Sequence, residues 1–309
     1  MVKNRVGVQI IISIAFSAVA FGLVYLWLTA TNISDIYLRL CIARSFFGMS
    51  NNPYSTCMSY NFGQPAAEYP LTTILLLAPF SVLGDRLAAS LFWSLSNGLL
   101  MFGILHKGEL HYLLIFTSGT YWAAFIWQQY SVFIAAVMLI PILLPLVLIK
   151  PQIGLPVILT NFTRKRLIGC VVFILLTFLV YPRWLLDWYE RSSHYNGVIP
   201  LLTLPLGPLL LLLLLKWRDK NALFLFLMAC IPQRTIMDTF ALYLLPQTTR
   251  SLVLLCLLSW IPATMFILNP VDAHPEIAMP YLLLFIYLPL LVIILTIPPP
   301  VRSTPGSHG

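Results

Sequence analysis

Groups able to do chemistry are sparse in this chain, because only 9% of its 309 residues are charged. Asp35 directly follows the first apolar run, in Asn-Ile-Ser-Asp, where Asn32 or Ser34 would cap a short helix running to about Phe47. A carboxylate there can take a proton from a hydroxyl. It can equally be a cap-region acid favoured by a helix N-terminus. Lys150, in Ile-Lys-Pro-Gln152-Ile-Gly, ends one apolar run and begins another. A cation so placed either meets an anionic ligand or snorkels to the interface. Arg234 and Asp238 interrupt the last third of the chain and stand four apart, a spacing that lets them pair on one helix face. Arg44 adds a cation to the polar interval that holds Asp35. His194 ends a stretch from 181 to 197 that reads as an interfacial helix, with Trp184, Trp188 and Tyr189 among headgroups. It either faces a cavity over Asp35 or stays at that interface.

Several chemistries find no support. No Cys-x-x-Cys or His-x-x-x-His array suggests a metal, and no Walker, dinucleotide-glycine or Gly-x-Ser-x-Gly pattern suggests a nucleotide cofactor or a serine nucleophile. Neither metal nor cofactor is therefore expected. Of the five cysteines, Cys170, Cys230 and Cys256 lie in apolar runs, whereas Cys41 and Cys57 share the first polar interval and could pair if that side is oxidising.

The elements that must position these groups are helices in a membrane. With 60% hydrophobic residues, a mean hydropathy of +0.90 and far fewer charges than the roughly 25% of a soluble domain, the chain reads as an all-α, polytopic integral membrane protein. Residues 6–29 carry no charge and are expected to be retained as a span. The net charge of +8 has no basic block interleaved with aromatics, so topology explains it better than nucleic acid. Counting each apolar run as one crossing, with Lys3 and Arg5 inside, places 164–166, 216–220, Arg250 and Arg302 inside. The same count puts 30–69, 106–111, Lys150, 183–197, 233–238 and 269–277 outside. It also puts Gln128 and Gln129 inside. Runs 151–163, 221–232 and 239–249 are too short to span, since about 20 residues are needed. About ten to twelve segments are expected in one domain over 1–297, with a disordered cytoplasmic tail at 298–309.

Residues 30–70 form the longest polar interval. Its order, Asp35-Ile-Tyr37, Ala43-Arg44, Gly48, Asn52-Pro53-Tyr54 and Glu68-Tyr69-Pro70-Leu71, resembles the first external loop of glycosyltransferase family 87, with Leu71 where a second proline is usual. Lys150-Pro151, and Asp238 ahead of Leu244-Leu245-Pro246, are similar to later segments of that family. The resemblance implies a membrane bundle of the GT-C type in the plasma membrane, active on its external side. It implies transfer of a hexose, mannose by preference, from a polyprenyl-phosphate donor to a lipid or glycan acceptor. Asp35 would be the base, with Lys150, Arg44, Tyr37, Tyr69, Gln152, Arg234, Asp238 and His194 as ligand contacts. A lipid-phosphate leaving group needs no protonation, so one carboxylate would suffice with inversion, unlike the carboxyl pair of glycoside hydrolysis. The opposing reading is a non-enzymatic lipid-handling protein or transporter, which would use paired ionisable residues along a path through the membrane.

Overall fold

The computed structural model describes residues 2–48, 57, 69–192, 197–268 and 275–296, and among these the ordered elements are helical. The chain begins with α1 (Val2–Thr31), which ends at Asn32 in a left-handed conformation (φ 54°). Then comes α2 (Asp35–Phe47), capped by Ser34, whose hydroxyl accepts from the Ile36 N–H at 3.2 Å. Next are α3 (Leu71–Leu77) with a 3₁₀ turn to Phe80, and α4 (Asp85–Lys107). A 3₁₀ leg, Leu110–Thr117, leads into α5 (Gly119–Trp127), and α6 (Ser131–Leu139) into a second leg, Pro141–Ile149. After α7 (Pro151–Thr160) and α8 (Arg164–Val180) comes α9 (Trp184–Ser192). The remainder is a leg at Gly207–Lys216, α10 (Lys220–Cys230), a leg at Ile236–Leu244, and the apolar stretches α11–α12 (Thr249–Leu258, Trp260–Leu268) and α13–α14 (Pro275–Leu282, Leu288–Thr296).

Among the described residues four stretches are long and apolar enough to cross a membrane: Arg5–Thr31, Asp85–Lys107, Thr249–Leu268 and Glu276–Thr296. The pair α8 and α9, bent by 91°, would add a fifth if it counts as one span. Most of the other apolar runs are built from shorter legs. Prolines stand at two of the breaks: Pro141 and Pro151 open their legs, where the residue before each is kept out of helical geometry, while Pro145 and Pro156 lie within the legs.

Antiparallel pairing of α1 and α4 fixes the two ends of the bundle. The Gln9 side-chain amide donates to the Leu105 carbonyl at 3.0 Å, and the Ser17 hydroxyl to that of Ser94 at 2.8 Å. Gly98 permits this approach, since a Cβ there would lie 3.0 Å from that of Ser17. At the other end, the Arg44 guanidinium holds Asp85 at 2.6 Å and the carbonyls of Ser81 and Leu83 at 2.7 Å each. Residues 70–84 therefore start and finish at the same end. They turn back instead of crossing, and α4 runs towards the N-terminal end.

This corrects the side assigned by counting runs. Lys107 and Glu109 lie with the N-terminus, and the next leg climbs away from it until the Trp27 indole donates to the Ile126 carbonyl at 3.1 Å. Gln128 and Gln129 thus sit at the Asp35 end, opposite to expectation. A second correction cancels the first: α6 descends until Leu139 meets Gly103, the chain reverses at Ile140-Pro141, and the leg at Pro141–Ile149 climbs back. Thr72 and Thr73 bind its last carbonyls, Leu148 and Ile149, at 2.7 and 2.5 Å. From Lys150 to Arg250 the described segments fall at the two ends as expected, while 269–274 and Arg302 lie outside the described residues. The Val198–Gln233 bridge marks the Asp35 end, and the Lys216 ammonium, 2.8 Å from the Ile294 carbonyl, marks the other.

Several helix polar groups inside the bundle are satisfied locally, as a medium without water favours. The hydroxyls of Ser90 and Ser96 and the Asn97 amide donate to carbonyls one turn earlier, and Asn97 in turn accepts from Tyr121 at 2.9 Å. Cys41 and Cys57, whose pairing the sequence left open, form a disulfide. Trp184 departs from the headgroup reading: it is buried with Leu38, Ile42, Leu71 and Ile74, so that α9 braces α2 and α3, while Tyr189 stays exposed.

The turn-back at 70–84 predicts that cysteines introduced at Val82 and Glu109, both exposed, label from opposite sides. With Cys170, Cys230 and Cys256 replaced by serine and the disulfide kept, an impermeant maleimide added to intact cells should reach Val82→Cys together with the 30–69 loop, and Glu109→Cys only after lysis. The reverse pattern at both positions restores the simple count of runs.

Candidate functional site

The site is assembled from places where helices begin, end or break. Asp35 and Arg39 come from the first two turns of α2, and Tyr69 from the extended residues ahead of α3. Gln129 comes from the turn after α5, which Gln128 closes in a left-handed conformation (φ 49°) while its amide donates to the Phe125 carbonyl. Lys150 has an extended backbone (φ −134°, ψ 79°) because the following proline disfavours helical geometry. Asp238 enters from the first turn of the leg at Ile236–Leu244.

At one pole, the Asp35 carboxylate is held on both oxygens. Arg39 donates to Oδ1 at 2.7 Å, and the Gln129 amide donates to Oδ2. An amide facing a carboxylate must present its NH₂ group, so the orientation of Gln129 follows from its partner. Asp35 thus has more than the helix-cap role open to it from the sequence. Arg39 is buried, and its guanidinium lies over the Tyr69 ring at 4.3 Å. The Lys150 ammonium lies 6.0 Å from the same ring. One aromatic face system therefore links two cations, each in the range of attraction by the ring quadrupole.

At the other pole, Lys150 and Asp238 form an ion pair with side chains only 6% and 1% exposed. Removing two charges from water is costly unless they are paired and further hydrogen-bonded, and the second Asp238 oxygen accepts from the Arg234 N–H at 3.0 Å. Here the expectation of an Arg234–Asp238 pair on a helix face is corrected. Arg234 serves Asp238 through its backbone, and the ammonium facing the carboxylate is that of Lys150, 88 residues away in sequence.

The other anticipated residues fall elsewhere. Arg44 lies nine residues beyond Asp35 on α2, about 13 Å along the axis, and is committed to Asp85 and the turn at 81–83. Tyr37 points away from Asp35. Its buried hydroxyl sits beside Arg86 without forming a hydrogen bond, and burial holds its phenol above the ordinary value despite that guanidinium. Gln152 occupies the first turn of α7, half-buried, two residues after Lys150. His194 lies outside the described residues. Arg39 and Gln129 were not anticipated as site residues. The signal for Arg39 was its i, i+4 relation to Asp35, and for Gln129 its place in a polar pair within a long apolar interval.

Chemically, the arrangement offers a carboxylate oriented by two donors, a pair of cations sharing one ring, and a second carboxylate that balances the deeper cation. Among the described residues no group of three or more His, Cys, Asp or Glu side chains could hold a metal.

Removing one partner of the deep pair should expose its burial cost. Lys150→Ala leaves Asp238 without its ammonium and should destabilise the protein by about 3–5 kcal/mol, whereas Lys150→Met with Asp238→Leu should recover most of the loss. Thermal unfolding in detergent measures both. Losses that simply add in the double variant would show that the two residues do not act as a unit.

No protein-family model, curated protein or solved structure matches this chain.

Proposed function

We propose that this chain is a multi-pass membrane glycosyltransferase that moves a hexose, mannose by the resemblance of its first polar interval, from a polyprenyl-phosphate donor to a lipid or glycan acceptor. The observation that carries this reading is the juxtaposition of Asp35, on two donors, with Arg39 and Lys150 across the Tyr69 ring. In the proposed step the acceptor hydroxyl oxygen bonds to the anomeric carbon while its proton passes to Asp35. The bond from that carbon to the phosphate oxygen breaks, and the phosphate departs on its lipid with its charge met by Lys150. Attack opposite the leaving group inverts the anomeric centre.

Charge placement supports an external site in the plasma membrane. The N-terminal end carries Lys3, Arg5, Lys107, Arg164, Lys165, Arg166, Lys216, Arg218, Lys220 and Arg250 against Glu109 and Asp219. The opposite end mixes both signs, as an outer face does under the positive-inside rule. The buried Lys150–Asp238 pair favours a second reading, a lipid-handling protein or transporter, because paired ionisable side chains at depth are what such a path uses.

Asp35→Asn separates the two readings. The amide is nearly isosteric and can still accept from Arg39, so the unfolding temperature should stay close to that of the wild type while transfer from a polyprenyl-phosphate mannose falls by about 10²–10⁴-fold. Equal rates in the two proteins would remove Asp35 as the base. A wild type that moves the lipid between leaflets but transfers no sugar would establish the second reading.

A further inference from the structure

The Tyr130 hydroxyl makes no hydrogen bond among the described residues. Tyr130 is fully buried in the turn between α5 and α6, its ring 5.2 Å from that of Tyr69 and 5.4 Å from that of Phe92, and its oxygen meets no hydrogen-bond partner. Tyr37, outside the site, shares this lack beside Arg86, but four other buried tyrosines of the bundle are satisfied. Tyr112 donates to the Leu244 carbonyl at 2.7 Å, Tyr121 to Asn97 at 2.9 Å, Tyr243 is bonded to Thr120 at 2.8 Å, and Tyr287 accepts from Gln233. A buried hydroxyl without a partner is destabilising relative to an apolar group of the same shape. Phenylalanine would fill the same space without that cost.

The surroundings of this oxygen are those of the site. Its ring packs on Tyr69, over which Arg39 lies at 4.3 Å, and the residue before it reaches Asp35. The neighbouring Gln129 gives its NH₂ to Asp35 and leaves its carbonyl oxygen buried and likewise without a partner. A hydroxyl that can donate or accept and an amide oxygen that accepts therefore stand on consecutive residues beside the carboxylate. Their joint complement is a ligand with adjacent hydroxyls.

We infer that Tyr130 Oη and Gln129 Oε1 form a subsite for the hydroxyls of a sugar ring, placed next to Asp35. The assignment rests on the glycosyl-transfer reading, and names the part of the ligand that these residues recognise. Tyr130 is then a specificity residue for the sugar, distinct from the cations that meet the phosphate.

The test compares two probes, a polyprenyl phosphate and the same lipid carrying mannose, bound to the full chain in nanodiscs. Wild type should bind the glycosylated lipid more tightly. Tyr130→Phe should lose about 3- to 10-fold in affinity for it, leave the bare lipid unchanged, and unfold without ligand at a temperature equal to or above that of wild type. Tyr121→Phe, which breaks the bond to Asn97, should instead lower the unfolding temperature and leave the ratio of the two affinities intact. A lower unfolding temperature for Tyr130→Phe, or equal losses for both lipids, makes the hydroxyl structural and overturns the subsite. A wild type that prefers the glycosylated lipid and a Tyr130→Phe that binds it equally well overturn the subsite alone. If wild type binds neither lipid, the donor assignment fails and the subsite with it.

Discussion

A helix that breaks within an apolar bundle leaves backbone and side-chain polar groups that water cannot rescue, and this constraint organises the molecule. The chain answers it by bringing its breaks together. The start of α2, the entry to α3, the α5–α6 turn, the Ile149-Lys150-Pro151 junction and the start of the leg at Ile236–Leu244 meet at one end, where each supplies what another lacks. The Lys150–Asp238 pair is the buried ion pair among these closures. It joins two segments that are individually too short to span and carry few hydrogen bonds between them.

The same closures hold the Asp35 cluster from several sides. Asp35 is fixed by one donor from its own helix and one from a turn 94 residues later, so its direction depends on two separate elements. The disulfide between Cys41 and Cys57 and the packing of Trp184 under Leu38 and Ile42 hold α2 from its other faces. Support of this kind is what allows a side chain to hold a productive geometry without a bound ligand.

Much of this was legible in the sequence. Composition gave a helical membrane protein, the sparse charges pointed to Asp35, Lys150 and Asp238, and Ser34 was foreseen among the caps of α2. The sides of the middle third were not legible. A run such as 70–84 is apolar whether it crosses or turns back, and only the grip of Arg44 on Asp85 and two carbonyls distinguishes the cases. The run at 131–149 looks long enough for a span, yet the reversal at Ile140-Pro141 makes it a hairpin of two short legs. Local periodicity cannot reveal the partner of Asp238 either, since proximity along the chain favours Arg234 and the tertiary fold delivers Lys150. The resemblance of residues 35–71 fell partly on positions outside the described structure, so it stands on its order of residues alone.

Asp35, Arg39, Lys150 and Asp238 together carry no net charge. Opposed charges a few ångströms apart cancel at distance, and a balanced set of this kind has a field that fades within a short range, sooner still once salt screens it. Such a set draws no anion in from bulk solution and gains nothing from electrostatic steering. A charged ligand would find it by sliding along the bilayer until contact, with encounter rates set by lateral diffusion in the lipid and nearly insensitive to ionic strength.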